Sequence, residues 1–179
     1  MTGTRSIYNL ALIGFMGTGK SCVGRLAADL MHFTFLDTDH VIEARAGKAV
    51  SDIFAQDGES AFRQWERRIV EELTRREKTV IATGGGLPAD PANLASLKTH
   101  ALVICLWASP ESIWERVRGH DHRPLLNESD PLSTIRELLA AREPHYRQAD
   151  VLVNTGMRSV REVAQHVVQH FHMAQSAPR

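Results

Sequence analysis

Ile7-Tyr8-Asn9-Leu10-Ala11-Leu12-Ile13-Gly14-Phe15-Met16-Gly17-Thr18-Gly19-Lys20-Ser21 is the stretch on which the fold turns. Its first seven residues read as a buried strand that stops at Gly14. The next eight fit G-x-x-x-x-G-K-[ST], and from Lys20 the residues Val23, Leu26, Ala27 and Leu30 recur at the i, i+3, i+4, i+7 spacing of a helical stripe. A strand, a glycine-rich turn and a helix, in that order, are the setting in which this motif cradles phosphate. The glycines let backbone N–H groups turn inward around phosphate oxygens at the positive end of the helix dipole. Gly17, Thr18, Gly19, Lys20 and Ser21 therefore form an expected phosphate cradle, with Cys22 included by position, and such a cradle alone allows a GTPase, an ATPase motor or a small-molecule kinase. Lys20 is placed to reach the β- and γ-phosphates, and the Ser21 hydroxyl to coordinate Mg2+. The Cys22 side chain itself reads as a small packed residue rather than a nucleophile.

Outward from the cradle, strands alternate with helices. Residues 33–36 read as a second strand ending in Asp37, 79–82 as a third broken by Gly84-Gly85-Gly86, 101–107 as a fourth and 151–153 as a fifth. Ser51 reads as the cap of a short helix, Asp57-Gly58 as a turn, and the next helix carries Phe62, Trp65, Ile69 and Leu73 on one face. Helices are also expected over 110–118, over 131–146, and from Ser159 onward with Val160, Val163, Ala164, Val167, Val168 and Phe171 as the last stripe. This alternation predicts an α/β fold of three layers, a parallel sheet covered by helices on both faces.

Composition sets limits. A chain of 179 residues buries roughly two thirds of its unfolded surface and needs no staples. It reads as one domain over 1–179. Lys+Arg 21 against Asp+Glu 21 leaves a net charge of zero, so no broad nucleic-acid surface is expected and an anionic partner must be met locally. Two cysteines are too few for a disulfide framework. No run reaches the roughly 18 apolar residues of a membrane span, and residues 7–15 lead into glycines rather than a cleavage site, so a cytoplasmic protein is expected. The 17 Arg against 4 Lys are uneven, and a genomic bias is the plainer account of the excess. His166 and His170 stand at the chelating i, i+4 spacing but lack a third ligand in sequence, and they read as a wet helix face.

Residues beyond the cradle narrow the chemistry. No Asn-Lys-x-Asp guanine-reading motif occurs. Asp37-Thr38-Asp39 closes the second strand, where α/β sheets place ligands. One carboxylate there can support Mg2+ through water while the other accepts a hydroxyl proton. A helix cap at Asp39 beside an incidental Asp37 is the alternative. Gly84, Gly85 and Gly86 let backbone N–H groups come close to a ligand, or form a plain turn. Arg63 borders one apolar stripe, and Arg142 falls on another with Ile135, Leu138, Leu139 and Tyr146. An inward-facing charge needs a partner, either a structural carboxylate or a bound anion. Arg123, in a polar stretch over 119–130 that reads as a lid, can offset charge on a transferring phosphoryl group.

The series Gly14 to Ser21, Asp37-Thr38-Asp39, Asp57-Gly58-Glu59-x-x-Phe62-Arg63, Gly84-Gly85-Gly86, Arg123-Pro124-Leu125-Leu126 and Arg142-x-x-x-Tyr146 resembles the shikimate kinases over about residues 8–170. The resemblance implies a five-stranded sheet of order 2-3-1-4-5, a substrate-binding helical segment near 39–66, and a monomer. It also implies transfer of the ATP γ-phosphoryl group to the 3-hydroxyl of shikimate. Under it, Asp39 binds ring hydroxyls and is the candidate base, and Asp37 supports Mg2+ through water. Arg63 and Arg142 hold the substrate carboxylate and Gly85 offers its backbone N–H, with Gly84 and Gly86 beside it. Arg123 contacts phosphate from the lid, and Arg118 and Arg158 flank adenine. A gluconate-type or nucleoside-monophosphate kinase, and a nucleotide-binding regulatory module without turnover, are the alternatives.

Overall fold

A computed structural model describes residues 5–119 and 130–176. Five parallel strands, β1 (Asn9–Ile13), β2 (Thr34–Asp37), β3 (Thr79–Ala82), β4 (Ala101–Trp107) and β5 (Val151–Asn154), pair in the order β2-β3-β1-β4-β5. This is the order that the resemblance implied. The central strand is buried throughout, and its alternate residues serve two cores, as a period of two requires. Leu10 and Leu12 pack with Val23, Ala27, Val163, Val167 and Phe171, from α1 (Lys20–Met31) and α8 (Val160–Ser176). Ala11 and Ile13 face the opposite layer, with Phe62, Ile69 and Leu73 of α4 (Gly58–Leu73), Leu94 and Leu97 of α5 (Pro91–His100), Ile113 of α6 (Pro110–Val117), and Ile135 and Tyr146 of α7 (Pro131–Tyr146).

Local differences from the sequence expectation have identifiable causes. α2 (Thr38–Ala46) starts with no loop after β2, because the Asp37 side chain caps it by accepting the Asp39 N–H. α3 (Val50–Gln56) begins one residue before Ser51, and the first-turn N–H of Val50 goes to the Glu43 carboxylate at 3.0 Å instead of to a serine. Gly58, with φ +83, makes the break between α3 and α4 where a turn was expected. α5, which the apolar pattern left unmarked, is capped by Asp90 and opened by Pro91. Among the described residues no helix is long and apolar enough to cross a membrane.

At the amino-terminal edge of the sheet Asn9 ties three segments together. Its Oδ1 accepts from the Thr79 N–H at 3.0 Å, and its Nδ2 donates to the Arg76 carbonyl at 2.6 Å and lies 2.9 Å from His100 Nδ1. With Oδ1 committed to a donor, His100 Nδ1 must be the acceptor, so the buried ring is neutral. Burial, and then the charge of Arg5, hold its pKa below the ordinary value. The unfolded chain therefore takes up this proton more readily, and the stability present at neutral pH is lost as pH falls through the unfolded value of about 6.5. Melting curves should fall more steeply between pH 7 and pH 5 for the wild-type chain than for H100Q; parallel curves would contradict the assignment.

Candidate active site

Parallel pairing brings the carboxyl ends of the strands to one edge, and the register opposes Ala82 to both Leu12 and Asp37. The turns after β1, β2 and β3 are therefore neighbours. In the first, Gly14, Gly17 and Gly19 have φ of +137, +75 and +95. A Cβ at Gly14 would stand 2.3 Å from the Leu106 carbonyl oxygen. The loop is thus restricted to glycine by its backbone angles and by close approach. Lys20 Nζ donates to the carbonyls of Gly14 and Phe15, each at 2.9 Å, and lies along the loop.

Ser21 Oγ donates to Asp37 Oδ2 at 2.7 Å, and Asp37 Oδ1 accepts from the Asp39 N–H at 3.1 Å. The helix cap is thus Asp37 and not Asp39, as the plainer reading had it, and Asp37 is also the partner of the cradle serine. A hydroxyl and a carboxylate side by side form a hard oxygen donor set suited to Mg2+, which keeps several waters and takes few protein ligands. Asp39 is partly buried, with Oδ1 buried and unpaired. Burial, and next the Asp37 carboxylate, push its carboxyl up to about 6, while Lys20 pulls the other way.

Three consecutive glycines meet three of the residues picked out in the sequence. A Cβ at Gly84 would lie 2.5 Å from Asp39 Oδ1, one at Gly85 3.4 Å from Arg142 NH1, and one at Gly86 2.7 Å from Arg63 NH1. Arg63 donates to Glu66 Oε2 at 2.6 Å and to Glu59 Oε1 at 2.8 Å, so the structural-carboxylate reading holds for it in this state. Arg142 lies over the Phe15 ring at 5.5 Å, and none of the ion pairs among the described residues includes it.

Glu66 and Arg116 escaped the sequence reading, and Tyr146, read there as a stripe and motif residue, acquires a partner. Glu66 is fully buried, with Oε1 unpaired, whereas Trp65, expected on that face, is partly exposed. Burial pushes the Glu66 carboxyl up to about 7, against the hydrogen bond and charge of Arg63; Asp39 adds to the rise and Arg142 opposes it. Its signal was spacing: Phe62, Glu66, Ile69 and Leu73 follow i, i+4, i+7, i+11. Tyr146 donates its hydroxyl to the Gly85 carbonyl at 2.7 Å. Arg116 reaches the Gly17 carbonyl at 3.3 Å and the Thr155 carbonyl and hydroxyl at 2.5 and 2.9 Å, joining the cradle to the turn after β5.

Arg118 pairs with Glu115 at 2.9 Å on exposed surface, and Arg158 lies 2.9 Å from His166 Nδ1. Cys22 is exposed on α1. Arg123 and most of the expected lid lie outside the described residues. His166 and His170 stack at 4.7 Å, and among the described residues no group of three or more His, Cys, Asp or Glu could hold a metal.

The family model described as shikimate kinase matches residues 16–172. A shikimate kinase of Thiobacillus denitrificans is 48% identical over 153 residues, covering 85% of this chain and 84% of that protein. One of Caldanaerobacter subterraneus subsp. tengcongensis is 42% identical over 163 residues, covering 91% of this chain and 95% of that protein. The solved shikimate kinase of Acinetobacter baumannii in complex with shikimate superposes with a TM-score of 0.89 at 35% identity, covering 97% of each chain. A gluconokinase of Sinorhizobium meliloti 1021, at 18% identity and a TM-score of 0.61, shares the fold alone.

A carboxyl 13C titration of the unliganded protein should place Asp39 near 6 and Glu66 near 7. Midpoints for both in the ordinary range near 4 would show that the site is wetter than its packing indicates.

Proposed function

The chain belongs to the shikimate kinase family, and from that membership we propose that it transfers the γ-phosphoryl group of ATP to the 3-hydroxyl of shikimate. The observation that carries this reading is the run Gly84-Gly85-Gly86, each glycine packed against one of Asp39, Arg142 and Arg63 beside the phosphate cradle. A carboxylate-bearing polyol asks for that combination: cationic forks for its acid group and a carboxylate acceptor for its hydroxyls.

Each role has a chemical reason. Gly17, Thr18, Gly19, Lys20 and Ser21 hold the ATP phosphates through backbone N–H groups and one ammonium, with Cys22 next to them on α1. Arg63 and Arg142 hold the shikimate carboxylate, which displaces part of the Arg63–Glu66 contact, and Gly85 offers its backbone N–H to the acceptor. The 3-hydroxyl oxygen attacks the γ-phosphorus, the bond to the β-bridging oxygen breaks, and ADP departs with the electron pair. Asp39 takes the hydroxyl proton; a carboxylate raised toward the working pH is a better base than an ordinary one. Ser21, and Asp37 through water, would hold Mg2+, which when bound neutralises charge on the β- and γ-phosphate oxygens. Arg123 offsets charge on the transferring group from the lid. On the adenine side Arg116 is better placed than Arg118, and Arg158 would have to leave His166 to take part. The enzyme works as a cytoplasmic monomer of one domain.

Shikimate-dependent ADP release from Mg-ATP is the direct test, and its absence would remove the proposal. Against gluconate, kcat/KM should favour shikimate by orders of magnitude. D39N should lower kcat by about 10²- to 10⁴-fold. R142A should raise KM for shikimate by about 10- to 100-fold, the loss of charge-assisted hydrogen bonds made before and during transfer. R123A should mainly lower kcat; a pure KM effect at Arg123 would refute its role.

A further inference from the structure

Tyr146 stands four residues after Arg142 on α7, so the two share a face. The tyrosine is buried, yet its hydroxyl spans 61 positions of sequence to the Gly85 carbonyl in the glycine run. Three glycines in succession have the least restrained backbone a chain can offer. Here each carbonyl of the run is held: Gly84 O accepts from the Leu87 N–H at 3.2 Å, Gly86 O from the Ala89 N–H at 3.0 Å, and Gly85 O from Tyr146 at 2.7 Å. The first two donors are local backbone. Thr38 anchors the start of the run by accepting the Gly84 N–H at 3.0 Å, and Tyr146 is the tie from a distant element to its centre.

In a trans peptide the C=O of one residue and the N–H of the next point in opposite directions. A hydrogen bond to the Gly85 carbonyl therefore sets the direction of the Gly86 N–H. Gly85 and Gly86 are partly exposed and flanked by Arg142 and Arg63, and their N–H groups donate to no protein acceptor among the described residues. Arg142 NH1 stands at the same glycine, 3.4 Å from where a Gly85 Cβ would lie; burial pushes Tyr146 up to about 12, and the Arg142 charge is the largest opposing influence. One hydroxyl thus orients the Gly86 N–H beside the Arg142 guanidinium, two donors that a carboxylate would meet together.

Resting on the assignment of shikimate as acceptor, we propose that Tyr146 is a positioning residue for the acceptor carboxylate, acting through the Gly85–Gly86 peptide and Arg142. The alternative is a buried tyrosine that satisfies its hydroxyl and contributes stability only. Y146F keeps the packed ring and removes the donor, and a melting curve confirms that it folds. KM for shikimate should rise about tenfold, the size of one hydrogen bond, while KM for ATP stays within about twofold. An unchanged KM for shikimate, or a parallel rise in KM for ATP, overturns the proposal.

A second measurement does not depend on the acceptor. In the unliganded protein the Gly85 carbonyl 13C and Gly86 amide signals should move on Y146F substitution, and static signals overturn the proposal. A wild-type chain without shikimate turnover would remove the acceptor assignment alone, because the carbonyl and amide signals still decide whether Tyr146 holds the peptide.

Discussion

A parallel sheet must deliver all its carboxyl ends to one edge, and the chemistry of this chain is assembled under that constraint. β3 lies between β2 and β1, so the glycine run after it is flanked by the turn carrying Asp37 and Asp39 and by the phosphate cradle. The run sits where side chains from α2, α4 and α7 converge, and any residue larger than glycine would meet Asp39 at Gly84 or Arg63 at Gly86. Backbone at such a point offers fixed dipoles without bulk, which suits a site that must meet an anion closely. The helices above the edge then only have to aim their side chains downward.

Charge is balanced locally as well as over the whole chain. Lys20, Arg63 and Arg142 share the edge with Asp37, Asp39, Glu59 and Glu66. Glu66 matters most in this balance because it is fully buried. It holds Arg63 in place without a substrate, yet burial pushes its carboxyl up, so the ion pair is weaker than its 2.6 Å length suggests. On the proposed assignment, a substrate carboxylate arriving between Arg63 and Arg142 competes with that partner. The near balance of the whole chain is thus repeated at this edge, where Lys20, Arg63 and Arg142 stand among four carboxylates.

The phosphate cradle and the five strands were legible because their determinants are local: a fixed glycine spacing, runs of buried residues, and stripes at helical period. Asp39, Arg63, Arg142 and the three glycines were legible as residue types, and their convergence became visible only through the register of β1, β2 and β3. What escaped depends on direction in space. Arg116 and Arg118 are two residues apart on and just after α6, so about 200° of rotation separates them. One meets the cradle and the turn after β5, while the other meets solvent and Glu115. Sequence alone does not say which of two nearby arginines turns inward. Glu66 was hidden differently, as one acid among the alternating charges of α4, until its stripe position is compared with that of Trp65. Tyr146 was visible only as a stripe and motif residue, because its partner is a backbone atom that no sequence pattern identifies.

The site divides into two halves with different degrees of specificity. The nucleotide half comes from β1, the cradle and the start of α1, and its ingredients serve any phosphoryl donor of this type. On the proposed assignment the acceptor half comes from α2, α4, α7 and the turn after β3, and none of its side chains belongs to the cradle. The two halves touch where Arg142 lies over Phe15 and where Gly85 stands against Gly14 and Met16 of the cradle. A fold shared at 18% identity with a gluconokinase therefore carries no acceptor preference by itself.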